Sequence, residues 1–337
     1  MKKKDILNFS IWIFASALIV VTIKELPFAE LGSRLKDIAL MSWIILLVVN
    51  VAILFLAVKR WQVLAQIFGI QLPLSSFFKL RQAGSLVSFL TPGPQFGGEP
   101  LQVFWLNQNH AIPLDVGIAT VGIDRFLETV INLFVLLLCI IFILLTDIEV
   151  DLYRALLFIL SALMVIIISA AIFIKKSNWL MKIFNYLIAK FFNEDLLLEK
   201  NGRKTPSKAN QILATIRSNK SKLFFALNLA LVGWLALMLE LYLMLDALNL
   251  APTLYDVVLI MLGIRLALLM PIPGGLGTIE ASLLWSFGIL ELTLVGAGGI
   301  IAISRSRDIL LLLVGMICLS DLTKYNSKPK HNKGHNL

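Results

Sequence analysis

Charge is scarce in this chain. Asp, Glu, Lys and Arg make up 15% of its 337 residues, against roughly 25% in an ordinary soluble domain. That shortage excludes a disordered chain and a soluble globular enzyme. Cysteine is scarcer still. Cys139 and Cys318 are the only two and each lies inside an apolar run, which rules out a secreted disulfide scaffold and a paired-cysteine metal site. The three histidines, His110, His331 and His335, lack metal-ligand spacing. There is no phosphate-binding loop with Lys-Ser/Thr, no Gly-x-Ser-x-Gly elbow and no His-Glu-x-x-His. The reading therefore includes no catalytic residue, no metal and no cofactor. Without an ATP site, uphill transport would draw on an ion gradient or coupled metabolism.

What the chain does have is apolar length. Hydrophobic residues make up 58% and the mean hydropathy is +0.87, the composition of an all-α polytopic membrane protein. A spanning helix needs about 20 apolar residues. Six segments qualify: Ile6–Ile23, Ile38–Val58, Leu114–Leu145, Leu152–Ile174, Leu223–Leu248 and Leu292–Leu322. The first follows Met-Lys-Lys-Lys as a signal peptide would, but it is long and no small-x-small cleavage site follows, so it is read as a span.

The net charge of +9 is explained by where it falls. With the amino-terminal lysines in the cytoplasm, Thr146–Asp151 lies outside and carries no Lys or Arg. The loop 175–222 then lies inside, with eleven Lys/Arg against three Asp/Glu. Lys59, Arg60 and the lysines of the tail also fall inside. This places a multi-pass protein in the cell membrane with both termini cytoplasmic and its basic surfaces against anionic inner-leaflet lipids, and leaves no need for a nucleic-acid partner. Within the loop, Trp179–Phe192 reads as an amphipathic helix on the inner leaflet. The polar tail 323–337 reads as disordered.

Two further apolar segments, Leu74–Leu106 and Thr253–Leu290, are interrupted by proline and glycine. The breaks are Thr91-Pro-Gly-Pro-Gln-Phe-Gly-Gly-Glu99 and Pro271-Ile-Pro-Gly-Gly-Leu-Gly-Thr-Ile-Glu280. Pro92, Pro94, Pro271 and Pro273 stop the helices, and the glycines permit tight turns. The arm Ser75–Leu90 would extend about 24 Å at about 1.5 Å per residue, short of a hydrocarbon core of about 30 Å. Both segments are read as re-entrant hairpins beside six full spans; the alternative is eight or more crossings.

The chain also repeats. At a shift of 179 residues, Pro73 meets Pro252, Gly84 meets Gly263, Pro92 meets Pro271 and Pro94 meets Pro273. With one inserted residue Ile123-Asp-Arg125 meets Ile303-Ser-Arg305, and with two Glu99 meets Glu280. Residues 1–322 are thus one transmembrane domain, with repeat one over 38–174 and repeat two over 223–322. Three spans per period, an odd number, predict that the copies enter the membrane in opposite senses. Inverted repeats with paired Pro/Gly-broken segments point to a transporter whose site lies at the repeat interface.

Charges within apolar segments mark the candidate site, since each costs roughly 2.5–3.5 kcal/mol at mid-membrane on insertion scales. Asp124, Arg125 and Glu128 share one span, and Arg305, Arg307 and Asp308 share its counterpart. Glu99 and Glu280 follow the breaks; Lys79, Arg81 and Arg265 lie on the arms leading into them; Glu240 and Asp246 lie in the fifth of the six spans. On the functional reading, Arg125 and Arg305 grip a phosphate from two sides, as a guanidinium fork suits. The N–H groups of Gly97, Gly98, Gly274, Gly275 and Gly277 add anion contacts. The carboxylates Asp124, Glu128, Glu99 and Glu280 meet an amine or carry a proton. On the structural reading, Arg125 pairs with Asp124 or Glu128 and Arg305 with Asp308 to lock helices together.

Pro271-Ile-Pro-Gly-Gly-Leu-Gly-Thr-Ile-Glu280 resembles the Pro-Gly-Gly-x-Gly-x-x-Glu signature of the flippase-like transmembrane domain of lysylphosphatidylglycerol synthases and its stand-alone relatives. The Gly-Gly-Glu after the first prolines and Asp124-Arg125 fit the same pattern, and the likeness runs from the first span to the last. It implies movement of a phospholipid or isoprenoid-linked lipid between leaflets, with Arg125, Glu99, Glu280 and the two breaks at motif positions. In bifunctional relatives a soluble domain attaches the amino acid. The chain stops shortly after its last span, so the expectation is a member without that domain and not an enzyme, whatever the family name suggests. A lipid-synthesising enzyme is a candidate partner. The other readings kept open are an intramembrane lipid-modifying enzyme using Glu99 or Glu280, a non-catalytic partner of such an enzyme, and an ion-coupled carrier of small anions.

Overall fold

The computed structural model describes residues 32–33, 35–91, 97–146, 208–270 and 272–326. The expected spans Ile6–Ile23 and Leu152–Ile174, the amphipathic stretch Trp179–Phe192, and Pro92, Pro94 and Pro271 lie outside these residues. Regular structure among the described residues is helical, without strands. The elements are α1 (Leu40–Ile67), α2 (Leu74–Leu90), α3 (Glu99–His110), α4 (Leu114–Leu145), α5 (Lys208–Ser218), α6 (Lys220–Ala247), α7 (Leu254–Ala267), a 3-10 turn (Pro273–Gly275), α8 (Thr278–Ile289) and α9 (Leu294–Asn326).

Three of these helices, α1, α4 and α6, are long and apolar enough to cross a membrane. Leu47, Val48, Val51 and Phe55 on α1 are exposed, as are Leu235 and Leu239 on α6. Surfaces of this kind suit hydrocarbon, which demands that backbone polar groups be satisfied within the helix. α9 is 33 residues long and carries Arg305, Arg307 and Asp308 in its middle. The other helices are short. α2 has 17 residues, α7 has 14, and α3 and α8 have 12 each. At about 1.5 Å per residue none covers a core of about 30 Å. Each Pro/Gly-broken segment is therefore a pair of short helices joined at its break.

Three boundaries differ from the sequence reading. α1 does not end at Val58 but continues through Lys59 and Arg60 to Ile67, because Trp61–Ile67 supplies two further turns of mostly apolar side chains. The basic loop expected over 175–222 already contains α5, and α6 begins at Lys220. α9 reaches Asn326, four residues into the expected tail.

The duplication is plain in the backbone. α1 and α6 are both 28 residues long and begin 180 positions apart; α2 and α7 also begin 180 apart, α3 and α8 179 apart, and α4 and α9 180 apart. The connections match too. After α1, Gly69 takes φ +77° and Ile70 N–H returns to Ala65 O at 3.1 Å. After α6, Asn249 takes φ +58° and Leu250 N–H returns to Leu245 O at 3.2 Å. Both are Schellman ends, which need one left-handed residue. Ala111 after α3 and Glu291 after α8 each take φ +53°.

Two compact units divide the chain, Met1–Asn132 with Ser221–Leu337, and Leu133–Lys220. The second holds the last part of α4, together with α5. In the first, α9 packs most extensively on α2, so an arm of repeat one lies against the charged helix of repeat two. Gly315 makes this crossing close: a Cβ there would stand 2.9 Å from Gln82 O. The core at the end of repeat one is built on Trp61, Phe77, Leu80 and Leu106. Trp61 and Phe77 meet edge to face with centroids 5.1 Å apart.

Candidate functional site

Both breaks are fastened by the same device. In repeat one, Glu99 Oε2 accepts the Gly97 N–H at 2.7 Å, and Glu99 Oε1 meets Arg125 Nε at 2.9 Å. In repeat two, Glu280 Oε2 accepts the Gly277 N–H at 2.8 Å, and Glu280 Oε1 meets Arg305 Nε at 2.6 Å. Each arginine then reaches the acid three residues on, at 3.1 Å for Arg125 to Glu128 and 3.0 Å for Arg305 to Asp308. Arg305 also donates to Gly274 O at 3.3 Å and Gly275 O at 3.4 Å. One guanidinium thus ties α9 to both the turn and the start of α8.

Glycine is required at these turns. Gly274 and Gly275 take φ +58° and +61°, a left-handed conformation that side chains with a Cβ resist. A Cβ on Gly274 would lie 2.4 Å from Phe89 Cζ of α2. In repeat one, a Cβ on Gly98 would lie 2.0 Å from Gly84 O, so α2 and α3 touch backbone to backbone.

A second tier of arginines holds the remaining acids. Asp124, 3% exposed, accepts from Arg60 at 2.7 and 3.2 Å and from Arg81 at 3.0 Å. Glu128 takes Arg60 at 3.0 Å and Arg81 at 3.5 Å. On the other side, Arg307 joins Glu240 at 2.6 Å and Asp308 at 3.1 Å. Arg265 stacks over Trp234 at 4.5 Å, and Trp234 Nε1 donates to Asn132 Oδ1 at 2.8 Å. Around the two breaks, the described residues supply six arginines (60, 81, 125, 265, 305, 307) and six carboxylates (Asp124, Glu128, Glu99, Glu240, Glu280, Asp308). Charge removed from water at this depth persists only when paired in this way.

A cavity of about 390 Å³ opens among these groups, walled by α1, α2, α4 and α6 to α9. Five arginines line it, Arg81, Arg125, Arg265, Arg305 and Arg307, with the acids Glu240 and Asp308. Asp124, Glu128, Glu99 and Glu280 are not in its lining but pair with arginines that are. Most of the remaining wall is apolar, including Leu86, Phe89, Met261 and Leu283. The space therefore presents guanidinium groups inside a largely hydrophobic surround.

The sequence-derived candidates converge here with some reassignment. Arg81, Arg125, Arg265 and Arg305 all line the cavity. Asp124 and Glu128 do not: they orient Arg60, Arg81 and Arg125. Arg125 pairs with Glu99 and Glu128 rather than with Asp124, while the expected Arg305–Asp308 pair is present. The amides expected to face an anion are engaged internally. Gly97 and Gly277 donate to the glutamates, Gly98 to Ser88 Oγ at 2.9 Å, and Gly275 to Ile272 O at 3.1 Å. Gly274 lines the cavity and offers its carbonyl to Arg305. Pro273 is buried within the 3-10 turn.

Arg60, expected on the cytoplasmic side after the second span, lies within α1 and is 6% exposed. The signal for it was the apolar run after it, which places the charge inside a helix. Glu240 and Arg307, given no site role from sequence, face each other across α6 and α9. Lys79 pairs with Asp321 at an exposed position, away from the cavity.

Comparison with known proteins agrees with this architecture. Residues 9–315 match the family described as the lysylphosphatidylglycerol synthase TM region. A protein described as a UPF0104 membrane protein, from Methanothermobacter thermautotrophicus, is 24% identical over 295 residues, covering 83% of this chain and 84% of its own. A second UPF0104 membrane protein, from Methanocaldococcus jannaschii, is 31% identical over 75 residues, 22% of each chain. No solved structure matches. With its family match running through both repeats, both breaks and both charged helices, this chain belongs to the lysylphosphatidylglycerol synthase TM region family.

Proposed function

We propose that the protein is a lipid translocase of the cell membrane, moving a lipid with an anionic head group between leaflets. The observation that carries this reading is the guanidinium-lined cavity between the two repeats, set in a hydrophobic surround. A phosphate entering it meets Arg125 from repeat one and Arg305 from repeat two, and guanidinium groups suit phosphate oxygens. The lipid's chains stay with the apolar wall. The repeats enter the membrane in opposite senses, so exposure of the cavity alternates by movement of one repeat against the other. Both termini are cytoplasmic, the basic segments face the anionic inner leaflet, and an enzyme that makes the lipid is the natural neighbour.

The protein itself is not an enzyme on this reading. Glu99 and Glu280, the acids a lipid-modifying reaction would use, each already accept a backbone N–H and are each ion-paired with an arginine.

The test is reconstitution in liposomes carrying a trace of fluorescent phosphatidylglycerol, followed by a membrane-impermeant quencher. Quenching beyond the outer-leaflet half is expected for the native protein and is lost in Arg125→Ala and Arg305→Ala. Full activity in both variants would refute the site. Absence of excess quenching with phosphatidylglycerol and with isoprenoid-linked phosphate lipids would refute the function.

A further inference from the structure

Charge balance around the cavity sets a condition on what enters it. Six arginines and six carboxylates surround it among the described residues; every one of those carboxylates is paired with an arginine, and Arg265 stacks over Trp234. An anionic head group that takes the place of an acid on one of the paired arginines leaves that acid buried and uncompensated. Such a charge costs several kcal/mol, and the least costly relief is a proton.

Of the six acids, Asp308 is the one placed to yield. It lines the cavity, and its two oxygens accept from different arginines, Oδ2 from Arg305 at 3.0 Å and Oδ1 from Arg307 at 3.1 Å. Each of those arginines has another carboxylate at 2.6 Å, Glu280 for Arg305 and Glu240 for Arg307. Displacing Asp308 thus opens two donors while both arginines stay neutralised. Displacing Glu240 would strip Arg307 of its shorter contact. Displacing Glu280 would also release the Gly277 N–H. Glu128, the equivalent acid in repeat one, does not line the cavity.

We infer that Asp308 is a proton-exchange site: the lipid phosphate replaces it on Arg305 and Arg307, and Asp308 takes up one proton as the head group binds. This rests on the anionic-lipid reading above and adds its coupling. No covalent bond changes; the proton comes from water and returns to it on release. Asp308 pairs with Arg305 and Arg307 on its own helix, which also hold Glu280 on α8 and Glu240 on α6; Arg265 on α7, Arg81 on α2 and Arg125 on α4 line the same cavity. The arginines stay charged throughout, so the exchange falls to a carboxylate.

The test uses the full-length protein in detergent and dihexanoyl phosphatidylglycerol, whose phosphodiester keeps one charge across the working pH range. Proton uptake on binding is read with an indicator dye in weak buffer. About one proton per lipid is expected for the native protein, with affinity falling up to tenfold per pH unit as pH rises. Asp308→Asn is expected to bind with no uptake and a flat pH profile, and Lys79→Gln, at an exposed pair away from the cavity, to retain uptake. Native binding without uptake, or unchanged uptake in Asp308→Asn, would overturn the exchange and leave the lipid site standing. If neither phosphatidylglycerol nor an isoprenoid-linked phosphate binds, the lipid reading falls and the exchange with it. A thermal melt of each variant separates loss of uptake from loss of fold.

Discussion

Arg305 and Glu280 meet at 2.6 Å between α9 and α8, and the same guanidinium reaches the carbonyls of Gly274 and Gly275. The pair is the second copy of Arg125 with Glu99 at 2.9 Å. Each break is therefore closed by a carboxylate that holds a glycine N–H with one oxygen and an arginine with the other.

Breaking one partner of this pair should cost more than removing both. Glu280→Leu leaves Arg305 with Asp308 and two carbonyls, and a broken buried pair typically costs about 3–5 kcal/mol. Replacing both, as Glu280→Leu with Arg305→Leu, should recover part of the lost thermal stability but none of the lipid transport. Melting and transport measured on the two single variants and the double form the cycle. A double variant less stable than both singles would contradict this account.

Gly274→Ala meets two obstacles, its φ of +58° and the Phe89 ring. The backbone conformation costs about 1–2 kcal/mol and the overpacking about 1–3 kcal/mol. Adding Phe89→Ala should relieve the second and leave the first. Partial recovery of the melting temperature in the double variant is the expected result.

The matched glycines Gly84 and Gly263 lie at the crossings of the broken arms, but the neighbouring groups differ. A Cβ on Gly263 would lie 2.7 Å from Ser286 Oγ, so Gly263→Ala should be rescued by Ser286→Ala. A Cβ on Gly98 would strike Gly84 O at 2.0 Å, a backbone atom. Gly98→Ala should therefore block folding, and no side-chain change on α2 should restore expression of folded protein.

Arg60 and Lys79 give a contrast between buried and exposed pairing. Arg60 alone spans Asp124 and Glu128 from α1, so Arg60→Ala should lower stability by about 3–5 kcal/mol. Lys79 pairs with Asp321 where both side chains are exposed, and exposed pairs contribute about 0–1 kcal/mol. Lys79→Ala should melt close to the native protein. Equal losses in the two variants would contradict the assigned burial.

The sequence by itself determined a good deal. Apolar runs gave the membrane class, since hydrophobic length is a local property of the chain. Pro92, Pro94, Pro271, Pro273 and the matched glycines pointed to the breaks and the repeat, because proline stops a helix and glycine permits a tight turn. Arg125, Arg305, Glu99 and Glu280 were legible as candidates because charge inside an apolar segment needs a reason.

Tertiary structure decided the pairings. Asp124 and Arg125 are neighbours in sequence, yet one carboxylate turns to Arg60 and Arg81 while its neighbour's guanidinium turns to Glu99. Adjacent helical residues point about 100° apart, so only the packing of α1, α2 and α3 around α4 could assign their partners. Register also concealed Arg60, whose helix continues past it. The matched turns at Gly69 and Asn249, and at Ala111 and Glu291, were invisible for another reason. Backbone conformation there repeats while residue identity does not, and a comparison of letters cannot detect a shared φ.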